Sequence, residues 1–222
     1  MKPRAVLFDA YGTLFDVYSS VLRCGEIAGD LRPLAVLWRR KQLEYTWLRA
    51  LMERYADFWA VSADALRASL SERGIAASEA QIDGLMQAYL AADVFPDVKP
   101  ALESLAGVPL AVLSNGSPAM LQAVLRNSGL EPYFKEIISV DRVKTYKPSP
   151  RVYALGPQTL GLPVEEILFV SSNDWDAAGA KAFGFKVCWC NRNNAEPDRL
   201  GFSADLVVWR LDEINRHLAR SQ

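Results

Sequence analysis

Ala5-Val6-Leu7-Phe8-Asp9-Ala10-Tyr11-Gly12-Thr13-Leu14-Phe15 is the stretch whose reading decides the fold. Four apolar residues in a row, without alternation, describe a strand buried on both faces, as strands of parallel sheets are. The run stops at a carboxylate, then at Gly12 and Thr13, so the strand gives way to a loop at its carboxyl end. The same figure recurs. Leu110-Ala111-Val112-Leu113 ends at Ser114-Asn115-Gly116, and Ile167-Leu168-Phe169-Val170 ends at Ser171-Ser172-Asn173-Asp174-Trp175-Asp176. Lys186–Cys190 and Leu206–Val208 read as a fourth and a fifth strand. Helical stretches lie between them, one opened by Ser117 or Pro118 and closed by Gly129, another opened by Asp174 and ended near Gly184. Strands alternating with helices predict an α/β protein with a doubly wound parallel sheet. Such sheets bind ligands beyond the carboxyl ends of their strands. Each polar cluster alone is a loop signal; the placing of all three at strand ends points to a site.

Residues 18–92 differ from this pattern. Leu34, Leu37, Trp38 and Lys41, then Leu43, Trp47 and Leu51, recur at helical spacing. Ser62 reads as the N-cap of a helix over 63–73, and Ser78 as the N-cap of one over 79–92. No strand run interrupts the segment. The expected organisation is a Rossmann-like core domain from residues 1–15 and 96–222, with a helical cap domain, 16–95, inserted after the first strand.

Composition narrows the function. The chain has 222 residues, half of them hydrophobic, enough for one good core. Its formal net charge is -1 with mixed signs, and no basic run is interleaved with aromatics, so nucleic acid is not an expected partner. No signal peptide and no apolar run of bilayer length appears, so neither is a membrane. Cys24, Cys188 and Cys190 are an odd count without CxxC spacing, which reads as reduced thiols in a cytoplasmic protein. The single histidine, His217, lies five residues from the C-terminus on a polar helical tail and reads as a solvated surface residue. A hydrolase with an imidazole base is thereby disfavoured. Carboxylates, Lys and Arg must carry the chemistry.

The string from Asp9 to Phe15 resembles the first motif of the haloacid dehalogenase superfamily, a strand followed by D-x-x-x-T. Ser114-Asn115-Gly116 is similar to the second motif, Lys147-Pro148 to the third, and the string from Ser171 to Asp176 stands where the acidic fourth motif belongs. Order and spacing agree over essentially the whole chain. The departures choose the branch. Phosphatases of the superfamily carry a second Asp two residues after the nucleophile, as a general acid; Tyr11 stands there. Their fourth motif helps to hold Mg²⁺, which wants several oxygen ligands in octahedral geometry; Ser171, Ser172 and Asn173 fill its early part. Halide leaves without a proton. The closest resemblance is to L-2-haloacid dehalogenases, supported by Leu37-Trp38-Arg39 and Lys41-Gln42-Leu43-Glu44-Tyr45-Thr46-Trp47 in the inserted segment. It implies hydrolysis of short (S)-2-haloacids, with no metal and no cofactor, and fits a homodimer. A phosphatase acting on a small phosphate ester is the alternative; an idle binding module on the same fold is a third reading, opposed by the intact catalytic set.

Asp9 is then the nucleophile, a carboxylate that needs no base to attack. Its difficulty is that the substrate is an anion: two like charges at about 4 Å repel by roughly 4 kcal/mol at an effective dielectric near 20. Cations must compensate. Lys147 can pair with Asp9, and Arg39 can reach in from the inserted helices. The resemblance gives Arg39 the departing halide, helped by Asn115, since a guanidinium presents fixed donors to growing charge. It gives Ser114 and nearby backbone N–H groups the substrate carboxylate. Asp176 and Asn173 are assigned the water that hydrolyses the ester, with Lys147, Ser171, Thr13 and Tyr153 in support. Tyr11, Phe58 and Trp175 are candidates for an apolar pocket wall, and Ala10 counts with them as substrate-binding. Arg39 and Arg40 are neighbours on one helix, so only one can face inward; the resemblance favours Arg39. Asp174 is either an N-cap or a catalytic group.

Overall fold

A computed structural model describes residues 3–22 and 30–220; Cys24 lies outside them. In chain order the strands are β1 (Ala5–Phe8), β2 (Phe15–Asp16), β3 (Asp93–Val94), β4 (Leu110–Ser114), β5 (Glu136–Ser139), β6 (Ile167–Ser171), β7 (Lys186–Cys190) and β8 (Leu206–Val208). Six of them form one sheet in the order β5-β4-β1-β6-β7-β8, and every pairing is parallel. β1 is central and every one of its residues is buried. The order doubles back at β1, with β4 and β5 on one side and β6, β7 and β8 on the other. That reversal opens a crevice at the carboxyl ends of β1, β4 and β6.

The sheet contains one strand that sequence reading does not find. β5 offers only Ile137 and Ile138 between Glu136 and Ser139, and it lies at the sheet edge, where a long apolar run is not required. The insertion after β1 is also tied at its ends. β2 and β3 pair antiparallel, Phe15 opposite Val94 and Asp16 opposite Asp93, so the inserted segment leaves and returns side by side.

Between β2 and β3 run α1 (Ser19–Leu22), α2 (Arg32–Leu51), α3 (Phe58–Glu72) and α4 (Glu79–Tyr89). Pro33 sits in the first turn of α2, where its missing N–H costs nothing. Leu34, Leu37 and Trp38 bury one face of α2, and the Trp38 indole N–H donates to the Ser62 carbonyl oxygen at 2.8 Å, fixing α2 on α3. Ser62 is not an N-cap. α3 begins four residues earlier, where Asp57 accepts from the Ala60 N–H at 3.0 Å. The Ser62 hydroxyl instead bonds back to the Phe58 carbonyl, the usual satisfaction of a buried mid-helix serine. Ser78 does cap α4, in a reciprocal box with Gln81, but the helix ends at Tyr89 so that the chain can enter β3.

The remaining helices are α5 (Val98–Ser104), α6 (Pro118–Asn127), α7 (Pro150–Tyr153), α8 (Leu155–Leu160), α9 (Asp174–Phe183) and α10 (Ile214–Arg220). Ser117 caps α6, and Gly184 in the left-handed conformation ends α9. Asn173, not Asp174, holds the N-cap position of α9. His217 is half-buried on α10 rather than solvated. Cys188 and Cys190 are buried free thiols on β7. Among the described residues no helix is long and apolar enough to cross a membrane.

α9 comes unusually close to α7 and the turn before it. An added Cβ at Gly179 would lie 2.6 Å from the Tyr153 hydroxyl and 2.7 Å from Pro148 Cβ. Only a residue without a side chain lets these elements meet. Gly179→Ala is expected to destabilise the protein by about 1–3 kcal/mol through overpacking, read as a lower urea midpoint at unchanged m-value, and to displace Tyr153. An unchanged midpoint with full activity would show that the contact yields freely.

Candidate active site

The carboxyl end of β1 delivers Asp9 into the crevice, and the turn after it is built by Ala10, whose carbonyl accepts the N–H groups of Thr13, Leu14 and Phe15. Gly12, at φ +92°, makes that turn possible, and the Asn173 amide lies against it. Thr13, fully buried, donates its hydroxyl to Asp9 Oδ2 at 2.9 Å and accepts the Ser172 N–H at 2.8 Å. The Asn173 amide donates to the same Asp9 oxygen at 2.9 Å and to the Tyr11 carbonyl at 3.2 Å. The Ser171 hydroxyl accepts the Asn173 N–H at 3.1 Å and so orients that residue. Loops after β1 and β6 thus converge on one carboxylate.

The other Asp9 oxygen meets Lys147. Its ammonium, 1% exposed, lies 3.0 Å from Asp9 Oδ1 and 2.9 Å from Asp176 Oδ2. It also stands 4.9 Å from the centre of the Phe169 ring. The Asn115 amide oxygen accepts the Lys147 backbone N–H at 3.0 Å, joining the β4 loop to this segment. Burial alone would lower the Lys147 pKa, but the two carboxylates outweigh it and hold the ammonium above its ordinary value. Asp176 is fully buried on α9, and that burial raises its carboxyl above the usual carboxylate range. Lys147 pulls it down, Asp9 pushes it up, and Tyr153, donating to Oδ1 at 2.8 Å, favours the ionised form. The Tyr153 phenol is itself raised well above its ordinary value by burial.

Arg39 enters from α2. One terminal nitrogen donates to the Tyr11 carbonyl at 3.2 Å and the other to the Gln42 side-chain oxygen at 2.8 Å. Arg40 turns outward, its side chain 70% exposed and 4.0 Å from Glu72, which settles which of the two arginines faces the crevice. Phe58, at the start of α3, stacks on Tyr11 at 6.1 Å, and Tyr89 closes the same aromatic cluster at 5.0 Å. The Tyr11 hydroxyl is buried without a hydrogen-bond partner, and burial pushes its pKa well up. Ser114, at the end of β4, is buried and accepts the Gly116 N–H.

Arg39 and Asn173 line a cleft of about 400 Å³. Lys147 and Trp175 line an apolar groove of about 730 Å³, where Trp175 meets Trp47 edge-on at 5.4 Å. Trp175 therefore lies with Trp47 on the groove side and is set apart from the Tyr11–Phe58 cluster. Asp174 bonds the Asp198 N–H and belongs to the far loop rather than to the nucleophile. The structure thus joins Asp9, Thr13, Lys147, Asn173, Asp176 and Tyr153 in one hydrogen-bonded cluster, with Ser171 and Asn115 attached one bond away and Arg39 linked to it through the Tyr11 carbonyl that Asn173 also reaches. Sequence reading missed Gln42, Tyr89 and Arg192. Arg192 grips both Asp97 oxygens, at 2.9 and 2.8 Å, and donates to the Thr13 carbonyl at 2.9 Å, steadying the nucleophile loop. Gln42, three residues after Arg39, was open to detection by helical spacing; nothing local marks Arg192.

The donors suit an organic anion better than a divalent metal. Both carboxylates of the cluster share one ammonium, and an aromatic ring occupies position 11. Among the described residues no group of three or more His, Cys, Asp or Glu side chains is placed to hold a metal ion.

A family model described as haloacid dehalogenase-like hydrolase matches residues 3–184. The chain is 46% identical over 211 residues to the (S)-2-haloacid dehalogenase of Pseudomonas sp. (strain YL), covering 94% of this chain and 91% of that protein. It is 45% identical to haloacetate dehalogenase H-2 of Moraxella sp. (strain B), covering 96% of each. The solved L-2-haloacid dehalogenase from Xanthobacter autotrophicus with chloropropionic acid covalently bound superposes with a TM-score of 0.91 at 39% identity, covering 99% of each chain. With a carboxylate at the end of the first strand, a lysine reaching it from the third motif, and relatives matching nearly end to end, the chain belongs to the haloacid dehalogenase-like hydrolase family.

Proposed function

We propose that the protein is an (S)-2-haloacid dehalogenase, hydrolysing short-chain (S)-2-haloacids to (R)-2-hydroxy acids and halide. The observation that carries the reading is the pairing of one nucleophilic carboxylate with two inward cations, Lys147 on Asp9 itself and Arg39 across the Tyr11 carbonyl. A superfamily phosphatase would need a carboxylic acid at position 11, where Tyr11 is locked among Phe58, Tyr89 and Phe15.

In the first step an Asp9 oxygen attacks C2 of the substrate, and the carbon–halogen electrons leave with the halide. Arg39 receives that charge, aided by Asn115, while Ser114 and neighbouring N–H groups hold the substrate carboxylate. Tyr11, Phe58 and Ala10 bound the substrate's alkyl side, and Trp175 closes the apolar approach. In the second step water adds to the Asp9 carbonyl carbon as Asp176 takes one of its protons; when the ester's acyl–oxygen bond breaks, Asp176 returns that proton to the leaving alkoxide and frees the hydroxy acid, while the water's second proton leaves to solvent and Asp9 is again a carboxylate. Asn173 places the water, Lys147 steadies the charge on Asp9, and Thr13, Ser171 and Tyr153 keep these groups aligned. Covalent capture splits one hard displacement into two easier steps. The covalently bound chloropropionic acid in the Xanthobacter autotrophicus relative supports this route. We read residues 16–95 as a cap domain over a core of 1–15 and 96–222. The exposed Leu48, Leu51 and Met52 of the α2 end offer a face for a second copy in a homodimer, and the buried free thiols suit the cytoplasm.

Three measurements test the reading. Arg39→Ala should lower turnover far more than Arg40→Ala, because the two side chains face apart by about 100° on the helix; equal losses would remove Arg39 from its role. In a single turnover in ¹⁸O water with enzyme in excess, the heavy oxygen should enter the Asp9 side chain and the first hydroxy acid should stay unlabelled. Label in that acid with Asp9 unlabelled would mean direct attack by water. Hydrolysis of the ester should also rise with pH as Asp176 ionises, with its acid limb above the ordinary carboxylate range because burial raises that group. Tyr153→Phe removes a donor to the ionised form, so the limb should move to higher pH; a limb that stays put would deny Asp176 the role of base.

A further inference from the structure

Arg39 is held by neutral oxygens alone. Its two hydrogen bonds go to the Tyr11 carbonyl and to Gln42 Oε1, and no described carboxylate pairs with it. That is unusual for a half-buried guanidinium, which ordinarily finds an acid. The Gln42 side chain is 1% exposed, and its amide is fixed at both ends. Its oxygen accepts Arg39 at 2.8 Å and the Tyr89 hydroxyl at 3.3 Å. Its nitrogen donates to Ser62 Oγ at 2.6 Å, and that hydroxyl donates on to the Phe58 carbonyl at 2.6 Å. The proton inventory permits no flip: a guanidinium has no acceptor, so only the amide oxygen can face it, and the Ser62 proton is already committed to Phe58.

We propose that Gln42 is a positioning residue for dehalogenation, a neutral buried acceptor that aims the Arg39 guanidinium while leaving its full charge for the departing halide. The inference rests on the reading of Arg39 as halide acceptor. A carboxylate at position 42 would still hold Arg39, at the loss of the bond to Ser62, and would cancel its field at the same moment. An apolar residue would leave the charge and lose the aim. The amide does both jobs because α2 puts positions 39 and 42 on one face, while Ser62 on α3 and Tyr89 at the end of α4 clamp the amide from two other helices. The aromatic wall is tied to the same clamp, since the Phe58 carbonyl ends the chain of bonds and the Tyr89 ring packs at a tilt against Tyr11.

The test separates carbon–halogen cleavage from ester hydrolysis. Halide release from (S)-2-chloropropionate and (S)-2-bromopropionate is timed in a single turnover with enzyme in excess, and breakdown of the ester is followed separately. Gln42→Met should slow halide release about tenfold or more, and more for chloride, the poorer leaving group, while ester breakdown stays near the parent rate. Gln42→Glu should fold and slow halide release as well, since it neutralises Arg39. In an Arg39→Ala background, Gln42→Met should add almost nothing. Equal slowing of both steps, or an additive loss in the double variant, would make Gln42 a packing residue and overturn the inference. If Gln42→Met does not fold, Ser62→Ala, which releases the amide nitrogen, is measured in the same way: slower halide release alone supports the positioning role, and equal slowing of both steps overturns it. Failure of the underlying reading looks different: Arg39→Ala alone would then leave halide release unchanged.

Discussion

One ammonium governs the site. Lys147 lies buried between Asp9 and Asp176, within 3.0 Å of both. Two carboxylates could not be brought so near the same point without it, since like charges at such range repel by several kcal/mol. Burying the lysine without them would cost as much. Each group therefore requires the other two, and the loops after β1, β4 and β6 are drawn to a common centre. The Lys147 backbone is fixed by Asn115, its tip by Asp9 and Asp176, and Asp176 in turn by Tyr153. The close approach of α9 at Gly179 is what allows that last contact.

The two carboxylates have different surroundings. Asp9 is gripped by three donors at the mouth of the sheet, where substrate can arrive. Asp176 is wholly buried, and its environment keeps its carboxyl above the usual range, which suits a group that accepts a proton near neutrality. The second cation, Arg39, comes from the inserted helices, so it is carried on a different element from the ammonium that pairs with Asp9.

Much of this was legible in the chain. Unbroken apolar runs ending in Asp9, Ser114 and Ser171 specified parallel strands and the edge at which they terminate, because a strand buried on both faces needs no alternation. Gly12 and the caps at Ser117 and Ser78 marked local turns by their own backbone chemistry. Ser62 misled because its hydroxyl satisfies itself against Phe58, while Asp57 supplies the true cap. β5 was silent because an edge strand needs little hydrophobic length, and the β2–β3 pair because two residues carry no period.

By itself, then, the sequence determined five of the six strands of the sheet, the carboxyl-edge position of Asp9 and the absence of a second acid at position 11. Those features are local: they follow from side-chain polarity along a few residues. Tertiary structure alone decided that Lys147 bridges two acids and that Gln42 is pinned by Ser62 and Tyr89, 20 and 47 residues away in the chain. It also decided that Arg192 holds the Thr13 carbonyl from 179 residues away. A hydrogen bond is satisfied by proximity in space, and when its partners come from separate elements no local pattern along the chain records it.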